Sequence, residues 1–151
     1  MQGRGWIWHE SCVHTLHLSF MNSEKNMGTK KTIVVVDDNE DMVIVMKTIL
    51  EAKGYKVIPA CDGEDLFHRL DEKRPDLILL DIMMRPPDGF EVLRRLRSDP
   101  DMSSIPVMFV TAKVRYEDIL AGYNEGADYY LTKPFTSSQL LNGIGILLGD
   151  E

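Results

Sequence analysis

Short apolar runs alternate with longer amphipathic segments along most of the chain, and this alternation constrains the fold more than any other feature. From Lys31 onward, five runs are typical of strands and five segments are typical of helices. The first run, residues 33–36, is β-branched without polar alternation, which indicates a strand buried on both faces of a sheet. Strands that alternate with helices predict a parallel sheet covered on both faces, with right-handed crossovers. We therefore predict an α/β fold: a (βα)5 doubly wound parallel sheet in a single domain.

Capping residues and helix breakers give the predicted boundaries. Asn39 can cap the first helix, and Gly54 can end it in a left-handed conformation. The run from Thr136 to Gln139 is a capping box that opens the last helix. The predicted strands are residues 33–36, 56–60, 76–80, 105–110 and 128–131. The apolar positions at helical spacing in the first helix are Met42, Val45, Met46, Ile49 and Leu50.

Residues 1–29 differ from the remainder, and residues 30–151 are predicted to form the domain. We interpret the first segment as an N-terminal extension, either disordered or the product of a start codon assigned too early, with Met27 as a natural start. Its possible metal ligands have irregular spacing, so a metal site there is disfavoured. These ligands are His9, Cys12, His14 and His17.

Charge and hydropathy exclude several classes of function. The formal net charge is -7, which argues against binding to nucleic acids or acidic membranes, because both need a basic surface. The two cysteines, Cys12 and Cys61, are too few for a disulfide framework. No apolar run approaches the roughly 18 residues of a membrane span, and no signal peptide is evident. We expect a cytoplasmic protein without a membrane partner.

Polar side chains follow the predicted strands at the points where they end. Asp37 and Asp38 follow the first strand, Asp81 the third, Thr111 ends the fourth, and Lys133 follows the fifth. In an open parallel sheet, ligands bind beyond the carboxyl ends of the strands, near the point where strand order reverses. If the first and third strands are neighbours, the three carboxylates converge in one pocket.

Such a cluster has a definite chemistry. Three close carboxylates raise one another's pKa, and a hard divalent cation such as Mg²⁺ or Mn²⁺ relieves their repulsion. Lys133 adds a fixed positive charge and Thr111 a hydroxyl donor, a set that suits a phosphoryl group attacked by a carboxylate. Each residue alone is explained at least as well as a cap, a turn residue or a solvated charge. Together they indicate that Asp81 is a phospho-acceptor.

Residues 31–149 resemble the receiver domain of bacterial and archaeal two-component signalling, in the layout of the stand-alone chemotaxis response regulators. The resemblance implies a flavodoxin-like fold with strand order 2-1-3-4-5. The stretches that match are 33–38, 76–81, Asp88-Gly89, 110–112, 126–128 and Lys133-Pro134-Phe135.

The resemblance implies a stand-alone response regulator that takes part in phosphorelay signal transduction. Asp81 would accept a phosphoryl group from a sensor histidine kinase or a histidine phosphotransfer protein. Asp38, Asp81 and the backbone carbonyl of Met83 would ligate the cation, and Asp37 would act through a bound water. The protein would be no enzyme beyond its own phosphotransfer and dephosphorylation.

The resemblance also implies a switch. Lys133 would pair with Asp81 and then with the phosphate, and the Lys133–Pro134 bond would be cis. Thr111 would move to the phosphate, and Tyr130 would turn inward into the space it leaves. This would change the face of the fourth helix, fifth strand and fifth helix, where an unknown effector or a second copy would bind. We predict no direct DNA binding.

Two positions depart from the family pattern. Arg85 stands where the family usually has proline, with Pro86 and Pro87 after it, which puts the path of this loop in doubt. Met83 and Lys113 occupy positions that tune the lifetime of the phosphate in this family. Apolar Met83 should orient an attacking water poorly, so we predict a long-lived phosphoryl group.

Three alternative functions are disfavoured by particular residues. A flavodoxin-type binder of flavin phosphate needs a Ser-, Thr- and Gly-rich loop after the first strand, whereas residues 37–41 are acidic and would repel phosphate. An aspartyl phosphatase usually has a second acid two residues after the nucleophile, where this chain has Met83. A degenerate receiver that only binds protein would lack part of the acidic, lysine and hydroxyl set, and this chain has all of it.

Overall fold

The computed structural model describes residues 30–113 and 115–149 and contains a five-stranded sheet with five helices. Every neighbouring pair of strands is parallel and the order is β2-β1-β3-β4-β5, which confirms the predicted fold. The predictions for the histidines and Cys12 of the first 29 residues lie outside the described part. The strands are β1 (Thr32–Val36), β2 (Lys56–Ala60), β3 (Leu77–Leu80), β4 (Val107–Thr111) and β5 (Tyr129–Thr132). The helices are α1 (Glu40–Lys53), α2 (Gly63–Glu72), α3 (Gly89–Ser98), α4 (Tyr116–Asn124) and α5 (Ser137–Leu148).

The sheet separates two apolar cores. Successive strand residues face opposite sides, so Val34 and Val36 of β1 pack in one core and Ile33 and Val35 in the other. The first core includes buried residues of α2 and α3, and the second includes those of α1 and α5. Burial on both faces explains why β1 has no polar alternation.

The predicted caps of α1 and α5 are confirmed. The Asn39 side chain accepts a hydrogen bond from the Met42 N–H, and Gly54 ends α1 with φ of 107°. Thr136 and Gln139 form the reciprocal capping box at the start of α5. Backbone groups that a helix end leaves without partners are thereby satisfied.

One predicted core position in α1 is wrong. Val45 is exposed, and Val43 is buried in its place with Met46 and Leu50. The buried positions are spaced by three and four residues, which defines one side of a helix, and Val45 lies about 100° away from Met46 around the axis. Apolar spacing alone did not identify which side faces the sheet.

Three predicted strands begin later than expected, β3, β4 and β5, and an aspartate directly precedes β3 and β5. Asp76 accepts a hydrogen bond from the Thr32 N–H, at the start of β1. Asp128 accepts one from the Val107 N–H, at the start of β4. Both side chains satisfy the first donor of a neighbouring strand, a role that periodicity does not reveal. Within the described ranges, no helix combines the length and apolarity needed to cross a membrane.

Candidate metal and phosphoryl site

The carboxyl ends of β1 and β3 bring three aspartates together. These strands are neighbours in parallel register, with Val36 opposite Leu80, so the residues that follow them lie side by side. Carboxylate oxygens of Asp37, Asp38 and Asp81 lie within 4.8 Å of one another. The predicted acidic cluster is therefore formed by the fold.

Two of these aspartates are held almost out of solvent. Asp37 is 1% exposed and Asp81 is 6% exposed. The Asn39 N–H donates to Asp37 Oδ1 at 2.9 Å, and the Met83 N–H donates to Asp81 Oδ1 at 3.1 Å. Each N–H leaves the other oxygen of its carboxylate available to a cation or an ammonium group.

Lys133 joins both buried carboxylates. Its Nζ donates to Asp37 Oδ2 at 2.8 Å and to Asp81 Oδ2 at 3.4 Å, so the pairing predicted with Asp81 is present and the contact with Asp37 is the shorter. The Lys133 N–H donates to the Thr111 carbonyl oxygen at 2.8 Å, which fixes the lysine beside the end of β4. The Lys133–Pro134 peptide bond is cis, as predicted.

The pKa shifts follow from this crowding. Burial raises the pKa of Asp37, and the nearby Asp81 raises it further, against the lowering effects of Lys133 and the Asn39 N–H. Burial lowers the pKa of Lys133, but its hydrogen bonds and charge interactions with Asp37 and Asp81 outweigh burial and raise it. Lys133 is therefore a permanent cation between two carboxylates.

The donor set fits a hard divalent cation. Three carboxylates and one ammonium leave an excess of negative charge in a nearly buried space, and the donors are all oxygen, which Mg²⁺ and Mn²⁺ prefer. Oxygens this close fit one cation directly or through a bound water. The Met83 carbonyl as a further ligand stays a prediction.

The two residues predicted to switch lie close together on the adjacent strands. Thr111 is fully buried and its Oγ1 accepts a hydrogen bond from the Lys113 N–H at 3.4 Å. The Tyr130 hydroxyl donates to the Lys113 carbonyl oxygen at 2.9 Å, and its ring packs edge-on against Phe109. Burial, with the charges of Asp118 and Asp81, raises the pKa of Tyr130 to about 12. Tyr130 thus occupies an inward position.

Gly89 is a residue of the site to which the sequence assigned no role. A Cβ at this position would lie 2.5 Å from the Asp81 carbonyl oxygen and 2.6 Å from Ile82 Cα. The Gly89 N–H donates to the Ile82 carbonyl oxygen at 2.9 Å. Only glycine allows α3 to begin this close to the backbone of the acceptor. The Asp88-Gly89 pair was the available signal, but sequence spacing does not show such an approach.

The loop after β3 follows a defined path. The Pro86–Pro87 bond is cis, and Pro87 packs against Gly63, where a Cβ would lie 2.8 Å from Pro87 Cγ. The start of α2 therefore supports the loop that departs from the family pattern at Arg85. The Met83 side chain, in contrast, is 56% exposed beside the acceptor.

Comparison with known protein families identifies the same domain. A family model described as a response regulator receiver domain matches residues 33–144. The alkaline phosphatase synthesis transcriptional regulatory protein PhoP of Bacillus subtilis is 42% identical over 110 residues, which are 73% of this chain and 45% of that protein. The phosphate regulon transcriptional regulatory protein PhoB of Rhizobium meliloti is 34% identical over 77% of this chain and 51% of its own length. The chain thus spans about half the length of these relatives.

Solved structures agree with the fold. A chemotaxis response regulator of Vibrio cholerae superposes with a TM-score of 0.75 at 28% identity, covering 80% of this chain and 100% of that one. A CheY-like receiver domain protein of Methanospirillum hungatei gives a TM-score of 0.74 at 28% identity, covering 80% and 95%. The likeness extends over the sheet and its helices.

Proposed function

Since the chain belongs to the response regulator receiver domain family, we propose that it accepts a phosphoryl group on Asp81 from a histidine kinase or a histidine phosphotransfer protein. The observation that supports this most directly is the cluster of Asp37, Asp38 and Asp81 with Lys133 bound to two of its carboxylates. A buried carboxylate beside a fixed ammonium and a cation site is suited to attack phosphorus.

The transfer exchanges one bond for another. A carboxylate oxygen of Asp81 attacks phosphorus as the bond from phosphorus to the donor histidine nitrogen breaks, and the electron pair of that bond returns to the imidazole. Lys133 binds a phosphoryl oxygen and the Thr111 hydroxyl donates a hydrogen bond to another. Asp37, Asp38 and Asp81 would hold Mg²⁺, which would supply positive charge to neutralise the phosphoryl oxygens.

Phosphorylation of Asp81 acts as a signal to other proteins. Because Asp81 itself is modified, the protein is a phospho-accepting switch, and its only catalysis is its own phosphotransfer and dephosphorylation. We propose that the signal reaches the face of α4, β5 and α5 through Thr111 and Tyr130, and that an effector or a second copy binds there. Exposed apolar side chains on α4 are consistent with such contact, including Tyr116, Leu120 and Tyr123.

Three further points belong to this proposal. The relatives named above are transcriptional regulators. We nevertheless propose that this chain does not bind DNA directly, because its net charge of -7 disfavours contact with a phosphate backbone. A stand-alone form stays a prediction, which the mass of the native protein checks. The cytoplasmic location also stays a prediction.

The test uses a small phosphodonor or beryllium fluoride with the full chain, in the presence and absence of Mg²⁺. We expect the mass of one added phosphoryl group in the wild type with Mg²⁺ and none in Asp81→Asn. Asp62→Asn is the matched control, since Asp62 caps α2 and asparagine caps equally well. A wild type that takes up no phosphoryl group and does not respond to beryllium fluoride contradicts the proposal and favours a module that only binds protein.

A further inference from the structure

The two tyrosines of β5 each lie against a glycine of a covering helix, on opposite faces of the sheet. A Cβ on Gly122 of α4 would lie 3.0 Å from Cδ2 and 3.1 Å from Cε2 of Tyr130. A Cβ on Gly143 of α5 would lie 2.9 Å from Cε1 and 3.1 Å from Cζ of Tyr129. Both helices therefore approach β5 more closely than an alanine would allow without movement.

Gly122 is more deeply buried than the rest of α4. Within this helix, all of which the structure describes, Gly122 is the one buried residue. A Cβ there would also lie 3.1 Å from Cδ2 of Phe109, the ring that packs edge-on against Tyr130. The space that the missing side chain leaves is thus occupied by the aromatic rings of β4 and β5. The Tyr123 ring lies beside Tyr130, with ring centroids 6.4 Å apart.

We propose that Gly122 is a positioning residue for the switch, because its lack of a side chain allows the Tyr130 ring to lie inward. The proposal rests on the function proposed above and adds a determinant of its regulation. The Tyr130 hydroxyl is bonded to the Lys113 carbonyl oxygen, and the Lys113 N–H is bonded to Thr111 Oγ1. The ring, the loop after β4 and the hydroxyl that meets the phosphate are therefore one connected set.

A side chain at position 122 acts on this set through the ring. The methyl group of alanine would lie 3.0–3.1 Å from ring carbons of Tyr130 and Phe109, a tighter contact than is usual, so the inward ring must give way by a few tenths of an ångström. A change that lowers the population of the inward state must weaken, in proportion to that population, the binding of any ligand that requires this state. Gly122→Ala therefore weakens the binding of a phosphoryl analogue at Asp81 without touching the site.

The experiment compares Gly122→Ala with Gly143→Ala in the full chain. The affinity for beryllium fluoride is measured with saturating Mg²⁺, and the ring signals of labelled tyrosines are recorded by NMR and assigned with Tyr130→Phe. We expect Gly122→Ala to shift the Tyr130 signal and to bind the analogue about five-fold or more weakly. We expect Gly143→Ala to keep the wild-type affinity, although its Cβ would make a slightly tighter contact, 2.9 Å, on the other face of the sheet.

A second comparison separates an effect on the position of the Tyr130 ring from a general loss of stability. In a Tyr130→Ala background, Gly122→Ala should have no further effect on affinity, because the ring that it displaces is absent. Equal weakening by Gly143→Ala, or an unmoved Tyr130 ring with unchanged affinity in Gly122→Ala, overturns the proposal. If the wild type itself fails to bind the analogue, the proposed function fails. The Tyr130 signal without ligand still decides whether Gly122 positions the ring.

Discussion

The two helices on either side of β5 are attached to the sheet in different ways. Helix α5 begins with a reciprocal capping box and buries Leu140, Gly143 and Ile144. Helix α4 has no side-chain hydrogen bond at its first cap, Arg115, and buries one glycine. Helices with few buried contacts and open ends have low local stability, and segments that move in regulation come from this class. The comparison indicates a firmly packed helix on one face and a loosely held helix beside Tyr130 on the other.

The aspartates of the acidic cluster belong to the firmly packed part of the domain. Asp37 and Asp81 follow two neighbouring interior strands, are nearly buried and receive hydrogen bonds from backbone N–H groups. Lys133 ties them to the end of β5. Charge chemistry needs donors held in fixed geometry, whereas a signal needs an element with two accessible positions. Thr111 contacts both parts, because its carbonyl oxygen accepts the Lys133 N–H and its Oγ1 accepts the Lys113 N–H.

The largest effect should come from truncating the firm helix in its core. Ile144→Ala removes a side chain that is 0% exposed, and we expect it to lower the free energy of unfolding by about 2–5 kcal/mol. Ile146→Ala, two residues away and 62% exposed, is the control and should cost less than about 0.5 kcal/mol. Urea unfolding measures both. Similar losses from both variants would show that α5 is not anchored as described.

A smaller effect should follow from opening the cap of α5. Thr136→Ala removes the oxygen that accepts the Gln139 N–H, and we expect a loss of about 1 kcal/mol in urea unfolding. Thr136→Ser keeps the hydroxyl and serves as the control, with stability near that of the wild type. If Thr136→Ala leaves the unfolding midpoint in place, the capping box does not contribute to the difference between the helices.

The smallest effect should come from giving α4 the cap that it lacks. Arg115 has the extended backbone of a capping residue, so Arg115→Ser places a hydroxyl where it can accept an N–H of the first turn. The ion pair that is lost, with Glu117, is exposed and contributes little. We expect a gain of about 0.5 kcal/mol and slower hydrogen exchange in α4. Unchanged exchange would mean that the missing cap is not what leaves this helix loosely held.

Much of the molecule could be predicted because its signals are local. The β-branched run at 33–36, the capping residue Asn39 and left-handed Gly54 each express a preference of a few neighbouring residues. The positions of Asp37 and Asp81 at strand ends followed from the same periodicity. The strand order, the cis bond at Lys133–Pro134 and the switch pair came from resemblance to the family, and the structure confirms the order and the bond.

The sequence by itself determined the order of elements, the capping residues and the presence of an acidic cluster with a lysine, because these depend on periodicity and on side-chain chemistry. Tertiary structure decided that Val43 and not Val45 is buried, and that Lys133 lies closer to Asp37 than to Asp81. It also decided that Gly89 and Gly122 are places of close approach. These features are distances between elements far apart in the chain, and packing of the whole domain sets them.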